Sequence, residues 1–336
     1  MDMQRVLCCA AAGLLACTLP SWANRYRILD LGTEVRAAKI NDLGTVVGYG
    51  IGLGMLYRHG AWHALPAGDG GAQAMAVNDL GQATGWDFVQ QDGHWVVRAI
   101  LWQRDQAEVV LPMPIPAWQG YPQAISNTGL VVGYYNDNYD PWRCFLWSAK
   151  GGSIDLGGDE HPCVAYDVNE FGQVVGEANF VPGGQVHAFL WSAGKMRDLG
   201  ALGGPKSTAL GINALGHVVG LAIVDGEPHA FVWRHGKMTD LSQPADFHDT
   251  FAVSINVKGD IVGNGFSVSR NANVAVRFEE GRIVPLADEV ENLDNWDLEW
   301  ALDVNERGAI VGEGFRTNDI WPHFFVLVPG ASLGDR

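Results

Sequence analysis

The chain has 336 residues, 47% of them hydrophobic, and a formal net charge of −16 at neutral pH. That excess of carboxylates repels nucleic acid and anionic lipid, so neither is expected as a partner, and it favours cations or basic groups instead. Beyond a short apolar stretch at the N-terminus nothing approaches the length of a membrane span, so no transmembrane segment is expected.

The apolar stretch reads as a signal peptide over residues 1–23. Arg5 supplies the positive start, Val6 to Leu19 the apolar run, Pro20 the break, and Ser21-Trp22-Ala23 a small-x-small cleavage site. Leu14-Leu15-Ala16-Cys17 resembles a lipobox and gives a second reading, with cleavage before Cys17 and a lipid anchor on it. Either way the mature chain is expected outside the cytoplasm, secreted or periplasmic. Cys8, Cys9 and Cys17 fall in the leader. Cys144 and Cys163 remain, in adjacent repeats and in a compartment that permits a bridge; whether they form one depends on their Cα separation.

From residue 24 to residue 336 the chain reads as a single domain built on seven copies of one phrase: AKINDLGTVVG, MAVNDLGQATG, QAISNTGLVVG, YDVNEFGQVVG, LGINALGHVVG, VSINVKGDIVG and LDVNERGAIVG. Their first glycines are Gly44, Gly81, Gly129, Gly172, Gly216, Gly259 and Gly308, spaced from 37 residues (Gly44 to Gly81) to 49 residues (Gly259 to Gly308). A period of that length is a supersecondary unit that must stack on copies of itself.

Repeat five shows the unit best. Lys206 to Asn213 reads as a strand, Ala214-Leu215-Gly216 as a tight turn that Asn213 can bond, and His217 to Ile223 as a valine-rich second strand. His229 to Trp233 and Met238 to Leu241 follow as the third and fourth strands. Four short strands taken seven times predict an all-β fold, a seven-bladed β-propeller with four strands per blade. The last repeat stops after a third strand, His323 to Leu327, and the missing one is at the other end, where Tyr26 to Leu31 is similar to Met196-Arg197-Asp198-Leu199. Pairing the N-terminal strand into the last blade closes the ring and leaves no open edge. Tyr57, Trp102, Trp147, Trp191, Trp233, Phe278 and Leu327 share one column of the third strands and read as core filler, since sheets covered on both faces need large anchors.

The Ile-Asn-x-x-Gly-x-Val-Val-Gly phrase, His187-Ala188-Phe189, His229-Ala230-Phe231 and the run from Asp198 to Gly204 resemble the HAF-repeat family of bacterial "probable extracellular repeat" proteins. The resemblance covers nearly the whole mature chain. It departs at Arg98 and Arg143 in the histidine position, at Val274 in repeat six, and at Ser126 in place of asparagine. It implies a secreted or surface-exposed repeat protein and, the family having no established activity, it implies no reaction.

With the first strand of each repeat lining the channel, the loops from second to third and from fourth to next first strand share one face, and the tight turns share the other. The turns are nearly uniform and the loops are long and individual. Variable loops on a rigid frame are where binding resides. They carry Trp118, Tyr121, Tyr134, Tyr135, Tyr139, Trp142, Trp296 and Trp321, beside Asp137, Asp140, Asp246, Asp249, Glu291 and Asp294. Aromatic faces stack on sugar rings or anchor a protein, with carboxylates accepting from hydroxyl or basic groups. The competing reading is that these rings only pack the loops onto the blades.

Asn136-Asp137-Asn138-Tyr139-Asp140 sets oxygens at alternate positions as a calcium loop does, but Pro141 stands where glycine is needed and Trp147 where the last glutamate is needed. A solvated loop is the preferred reading and calcium the one cofactor considered. His187, His229 and His323 recur at one repeat position, which marks a structural role, and neither a HExxH spacing nor a Gly-x-Ser-x-Gly elbow is present. The sequence therefore points to a monomeric, non-catalytic extracellular module that binds a glycan or a protein through its variable face. Its alternatives are a propeller lyase or hydrolase with polar residues converging at the channel mouth, and a purely structural envelope protein.

Overall fold

A computed structural model describes residues 25–330 apart from 104–107, 138–140, 159, 181–183, 242–245, 280 and 294. The signal peptide, Cys17 and the candidate residues Tyr139, Asp140 and Asp294 lie outside the described residues. Among the described residues the chain is all-β: apart from one 3₁₀ turn at Leu286–Glu289, every regular element is a strand.

Repeat five has strands Lys206–Ile212, Val218–Val224, Glu227–Arg234 and Lys237–Asp240, paired antiparallel in chain order. The first turn forms because the Asn213 Oδ1 atom accepts the amides of Leu215 and His217, each at 3.0 Å, while Gly216 takes a φ of 74° that a side chain would strain. Across the second hairpin the expected column is in place. Trp102 faces Ala83, Trp147 faces Val131, Trp191 faces Val174 and Trp233 faces Val218, all of them buried.

Among the described residues the sheets number six, not seven. Five are separate four-stranded blades, and repeats two and three share one eight-stranded sheet, which overturns the expected ring of seven separate blades. The cause lies in the third strand of repeat two, His94–Trp102, whose nine residues begin well before its pairing with the outer strand Val109–Val110, which meets only Ile100 and Leu101 before the Leu111 amide donates to Ala99. The first strand of repeat three, Gln119–Ile125, takes the uncovered edge instead: Gln119 pairs parallel with Val97, whose amide donates to the Trp118 carbonyl at 2.9 Å.

Successive repeats stack, the second strand of one on the first strand of the next, and repeat seven packs on repeat one, so the sheets close into a propeller. Strand Tyr26–Gly32 lies antiparallel to His323–Pro329, with Tyr26 opposite Pro329 and Asp30 opposite Phe325. A belt of side-chain amides runs round the turn end of the ring. Each Nδ2 donates to the main-chain oxygen at the same position of the next repeat: Asn41 to Asn78, Asn78 to Ser126, Asn169 to Asn213, Asn213 to Asn256, Asn256 to Asn305, and Asn305 back to Asn41 at 2.8 Å. Ser126 has no amide to give, so the belt is broken between repeats three and four.

That junction holds the disulfide. Cys144 and Cys163 are bridged, with Cα atoms 5.2 Å apart. At the next two junctions the same places hold Ala188 and Ser207, then Ala230 and Thr250, where the first residue's amide donates to the second's hydroxyl at 2.8 and 2.9 Å. The frame already brings these two side chains together, so a cysteine pair fits without distortion. The recurring histidines are rim pairs, as their periodicity suggests: His187 meets Asp198 at 3.0 Å, His229 meets Asp240 at 2.8 Å and His323 meets Asp30 at 3.0 Å. Arg143 with Asp155 does the same work at 3.0 Å, while Arg98 turns instead to the buried Asp87 of the second strand, at 3.0 Å, with Glu108 at 3.5 Å.

Candidate functional site

Every first strand carries a β-bulge at one point of the repeat, between Ala37 and Lys39, Ala74 and Ala76, Pro122 and Ala124, Ala165 and Asp167, Ala209 and Gly211, Ala252 and Ser254, and Ala301 and Asp303. A bulge leaves one residue out of the ladder and re-aims it. The residues so released, Ala38, Met75, Gln123, Tyr166, Leu210, Val253 and Leu302, line a single cavity of about 320 Å³ on the channel axis. The last glycine of the phrase serves the same geometry: a Cβ on Gly48, Gly85 or Gly176 would collide with the main-chain oxygen of Arg36, Gln73 or Val164.

Below this ring Lys39 approaches Asp167 at 3.9 Å. Burial draws the Lys39 ammonium down, but Asp167 and Asp303 outweigh it and hold its pKa above the ordinary lysine value, so it stays a cation and is not a nucleophile at neutral pH. The carboxylates are committed as well. Asp167 accepts the Ile212 amide at 2.9 Å, and Asp303 accepts the Ile40 amide at 3.1 Å and the Ser254 hydroxyl at 2.7 Å.

Above the bulges the second strand contributes the residue after each glycine. Tyr49 lies opposite Arg36, Trp86 opposite Gln73, Tyr134 opposite Tyr121, Glu177 opposite Val164 and Glu313 opposite Trp300. On one side these make a continuous aromatic wall. Ring centroids are 5.1 Å apart for Trp86 and Tyr121, 5.3 Å for the stacked pair Tyr121 and Tyr134, and 5.0 Å for Tyr134 and Trp142. Next along, Tyr166 hydrogen-bonds Glu177, and burial followed by that carboxylate pushes the phenol well above its usual range. Glu177 also accepts the Thr208 hydroxyl at 2.6 Å and has Lys206 at 3.6 Å. Across the mouth Arg36 stands 3.8 Å from Glu313, whose pKa burial raises and Arg36 partly restores. Burial, then Glu313 and Asp297, raise Glu299 beside it.

The loop aromatics separate into three groups. Tyr121, Tyr134 and Trp142 converge at the mouth, joined by Trp86. Tyr135 does not: it is fully buried, its hydroxyl donates to Asp155 at 3.0 Å and its ring packs on Phe145, so its place among the binding residues is corrected to core. Trp296 packs edge-on to His323 and Phe325 beneath Arg316 and belongs with the last sheet. Trp118 rests on His94 at 5.3 Å, Trp321 is 68% exposed, and Asp137 is half-buried. The expected loop from Trp86 to Trp95 is a long hairpin instead, Ala83–Gln91 with His94–Trp102, turned at Asp92 and Gly93. Among the described residues no group of three or more His, Cys, Asp or Glu is placed to hold a metal ion.

Sequence reasoning missed Lys39, Tyr49, Trp86, Tyr166, Glu177, Trp300 and Glu313. The signal was there: these are the places where an otherwise uniform repeat changes its chemistry from copy to copy, at the bulge and just after the last glycine.

No protein-family model matches the chain and no curated protein matches it. Among solved structures, virginiamycin B lyase from Staphylococcus aureus aligns over 90% of this chain and 99% of its own, at 11% identity and a TM-score of 0.51. Puromycin hydrolase aligns over 88% of this chain and 52% of its own, at 14% identity and a TM-score of 0.54, so the chain spans about half that enzyme's length. Likeness at such identity carries the fold alone, a β-propeller. Among the described residues no helix is long and apolar enough to cross a membrane.

Proposed function

We propose that this is an extracellular, non-catalytic binding module that seats a glycan in the cup at the channel mouth. The observation that carries the reading is the unbroken wall of Trp86, Tyr121, Tyr134 and Trp142 beside a cavity of about 320 Å³. A pocket of that size takes a small ligand or the end of a larger one, aromatic faces stack on the apolar faces of sugar rings, and Glu177 next along the wall and Glu299 and Glu313 across the mouth can accept hydroxyl hydrogen bonds. Binding rather than chemistry is supported by the polar groups at the base of the cup, which are already occupied with the protein's own amides and hydroxyls. The disulfide supports an oxidising compartment, and the HAF-repeat resemblance agrees with it.

A glycan array probed with the mature protein tests this directly. Binding of a defined set of sugars, lost in Tyr134→Ala and Trp142→Ala variants that melt as the parent does, is the expected result. No glycan bound at any concentration, or wild-type binding by both variants, sinks the reading.

A further inference from the structure

The polar groups of the cup are unevenly provided with partners. Asp167 and Asp303 sit against Lys39 and accept the protein's own amides, and Glu177 accepts the hydroxyls of Thr208 and Tyr166 with Lys206 alongside. Glu313 differs from all of these. It lines the cavity with its side chain only 16% exposed, and Arg36 approaches it no nearer than 3.8 Å, beyond hydrogen-bond reach. Among the described residues no group donates a hydrogen bond to its carboxylate. A largely buried carboxylate without a donor is costly, and this one opens on a cavity with room for a donor on a ligand.

The charge around Glu313 decides what kind of donor fits. A second bulge in the first strand of repeat seven, between Leu298 and Trp300, takes Glu299 out of the ladder. Glu299 accepts from the Trp300 side chain and lies in the field of Glu313 and Asp297. Three carboxylates thus share this side of the mouth with one guanidinium, and the Arg36 side chain that carries it is 64% exposed to water. Burial raises both glutamates above their ordinary value, and for Glu299 the charges of Glu313 and Asp297 add to the rise. A cation placed among them reverses these shifts, whereas a neutral hydroxyl leaves the excess charge and an acidic sugar adds to it.

We infer that the cup selects sugars that carry a free amine, with the sugar ring against the aromatic wall and the ammonium at Glu313 and Glu299. The inference rests on the glycan reading and narrows it to one class of sugar. An ammonium has three donors to give and the charge that this side of the mouth lacks. Tyr49, opposite Arg36, and Trp300, opposite Glu313, set aromatic faces beside the seat, and such faces attract a cation as well.

Trimers of glucosamine, N-acetylglucosamine and glucose in the same linkage test this, since they differ at one substituent: ammonium, acetamide or hydroxyl. In titration calorimetry of the mature protein the glucosamine trimer should bind roughly tenfold or more tighter than the other two. Glu313→Gln keeps the shape of the side chain and should lose most of that preference, while its affinity for the glucose trimer and its thermal midpoint stay at the parent's. Glu299→Gln should lose part of it. Asp225→Asn removes an exposed carboxylate from the hairpin tip of repeat five and should keep the full preference, which separates the seat from a general attraction to an acidic protein. Equal affinity for the three trimers overturns the inference and leaves the glycan reading standing. A preference that Glu313→Gln and Asp225→Asn reduce alike overturns it too. If none of the trimers binds, the inference falls as well, and the array alone decides the broader reading.

Discussion

The side-chain amide of Asn305 donates to the main-chain oxygen of Asn41 across 2.8 Å, and this one bond links the last repeat to the first in the belt. The same side chain accepts the amides of Arg307 and Ala309 at 3.1 and 2.8 Å. Truncating it removes three hydrogen bonds at once and leaves the buried Ala309 amide without its acceptor, while the Asn41 oxygen keeps the Gly44 amide. Asn305→Ala should therefore lower unfolding free energy by about 2 kcal/mol or more, read as a shift in urea midpoint. Asn305→Ser keeps one acceptor, as Ser126 does at its turn, and should lose less. Equal losses in the two variants would mean that only the inter-repeat bond matters.

The junction of repeats three and four lacks that bond and has the Cys144–Cys163 bridge. Cys144→Ala with Cys163→Ser recreates the Ala188–Ser207 arrangement, so the variant should fold. It should be less stable by about 3 kcal/mol, the loop-closure value for a separation of this length. Adding Ser126→Asn restores the belt and should return about 1 kcal/mol. Thermal melts of the parent with and without reductant, and of the two variants, check this. A Ser126→Asn change that gives no gain in the unbridged background would show that the belt and the bridge do not share a task.

Strands, turns and core column were legible in the sequence because each repeat makes the same local demands: Asn213 and its equivalents close a turn, Gly216 takes a positive φ, and Trp233 fills one column. The union of repeats two and three was not, because it follows from the long start of the strand His94–Trp102, which leaves Val97 open to pair with Gln119 and has no motif of its own. Tyr134 and Tyr135 look alike as neighbours, yet successive side chains of a strand point to opposite faces. Tyr134 goes to the mouth and Tyr135 to the core. The cup was hidden because each repeat contributes one bulged residue of different chemistry, and only closure of the ring brings Met75, Gln123 and Tyr166 together.

Asp30 ties the N-terminal strand to the last repeat through His323 at 3.0 Å and Arg316 at 3.2 Å. Burial pulls its pKa upward, but the His323 and Gly32 hydrogen bonds and the Arg316 charge outweigh it and hold it below the ordinary aspartate value. A carboxyl with a depressed folded pKa gives stability that is fully present above its unfolded value, near pH 4, and is lost as pH falls through the lower folded value. Stability should therefore drop on acidification below about pH 4, and Asp30→Asn should flatten that drop while lowering stability at neutral pH. Denaturation midpoints measured through the acid range decide the matter; an unchanged slope in Asp30→Asn would remove Asp30 from the acid response.

Tyr134, Tyr135 and Trp321 allow binding and packing to be told apart within one set of aromatic residues. Tyr135→Ala empties a fully buried site and should destabilise the protein by about 3 kcal/mol or more, whereas Tyr135→Phe loses only the hydroxyl's bonds to Asp155 and Arg143, about 1 kcal/mol. Tyr134→Ala removes the middle of the aromatic wall, where truncating an anchor typically weakens a ligand by about 2 kcal/mol, while the bulges and glycines beneath still hold the strand. Trp321→Ala, at the exposed rim, should change neither property. Melting curves together with titration of a glycan retained on the array separate the three outcomes. Should Trp321→Ala weaken the glycan as much as Tyr134→Ala does, the ligand contacts the loop tips and the cup is only the channel beneath them.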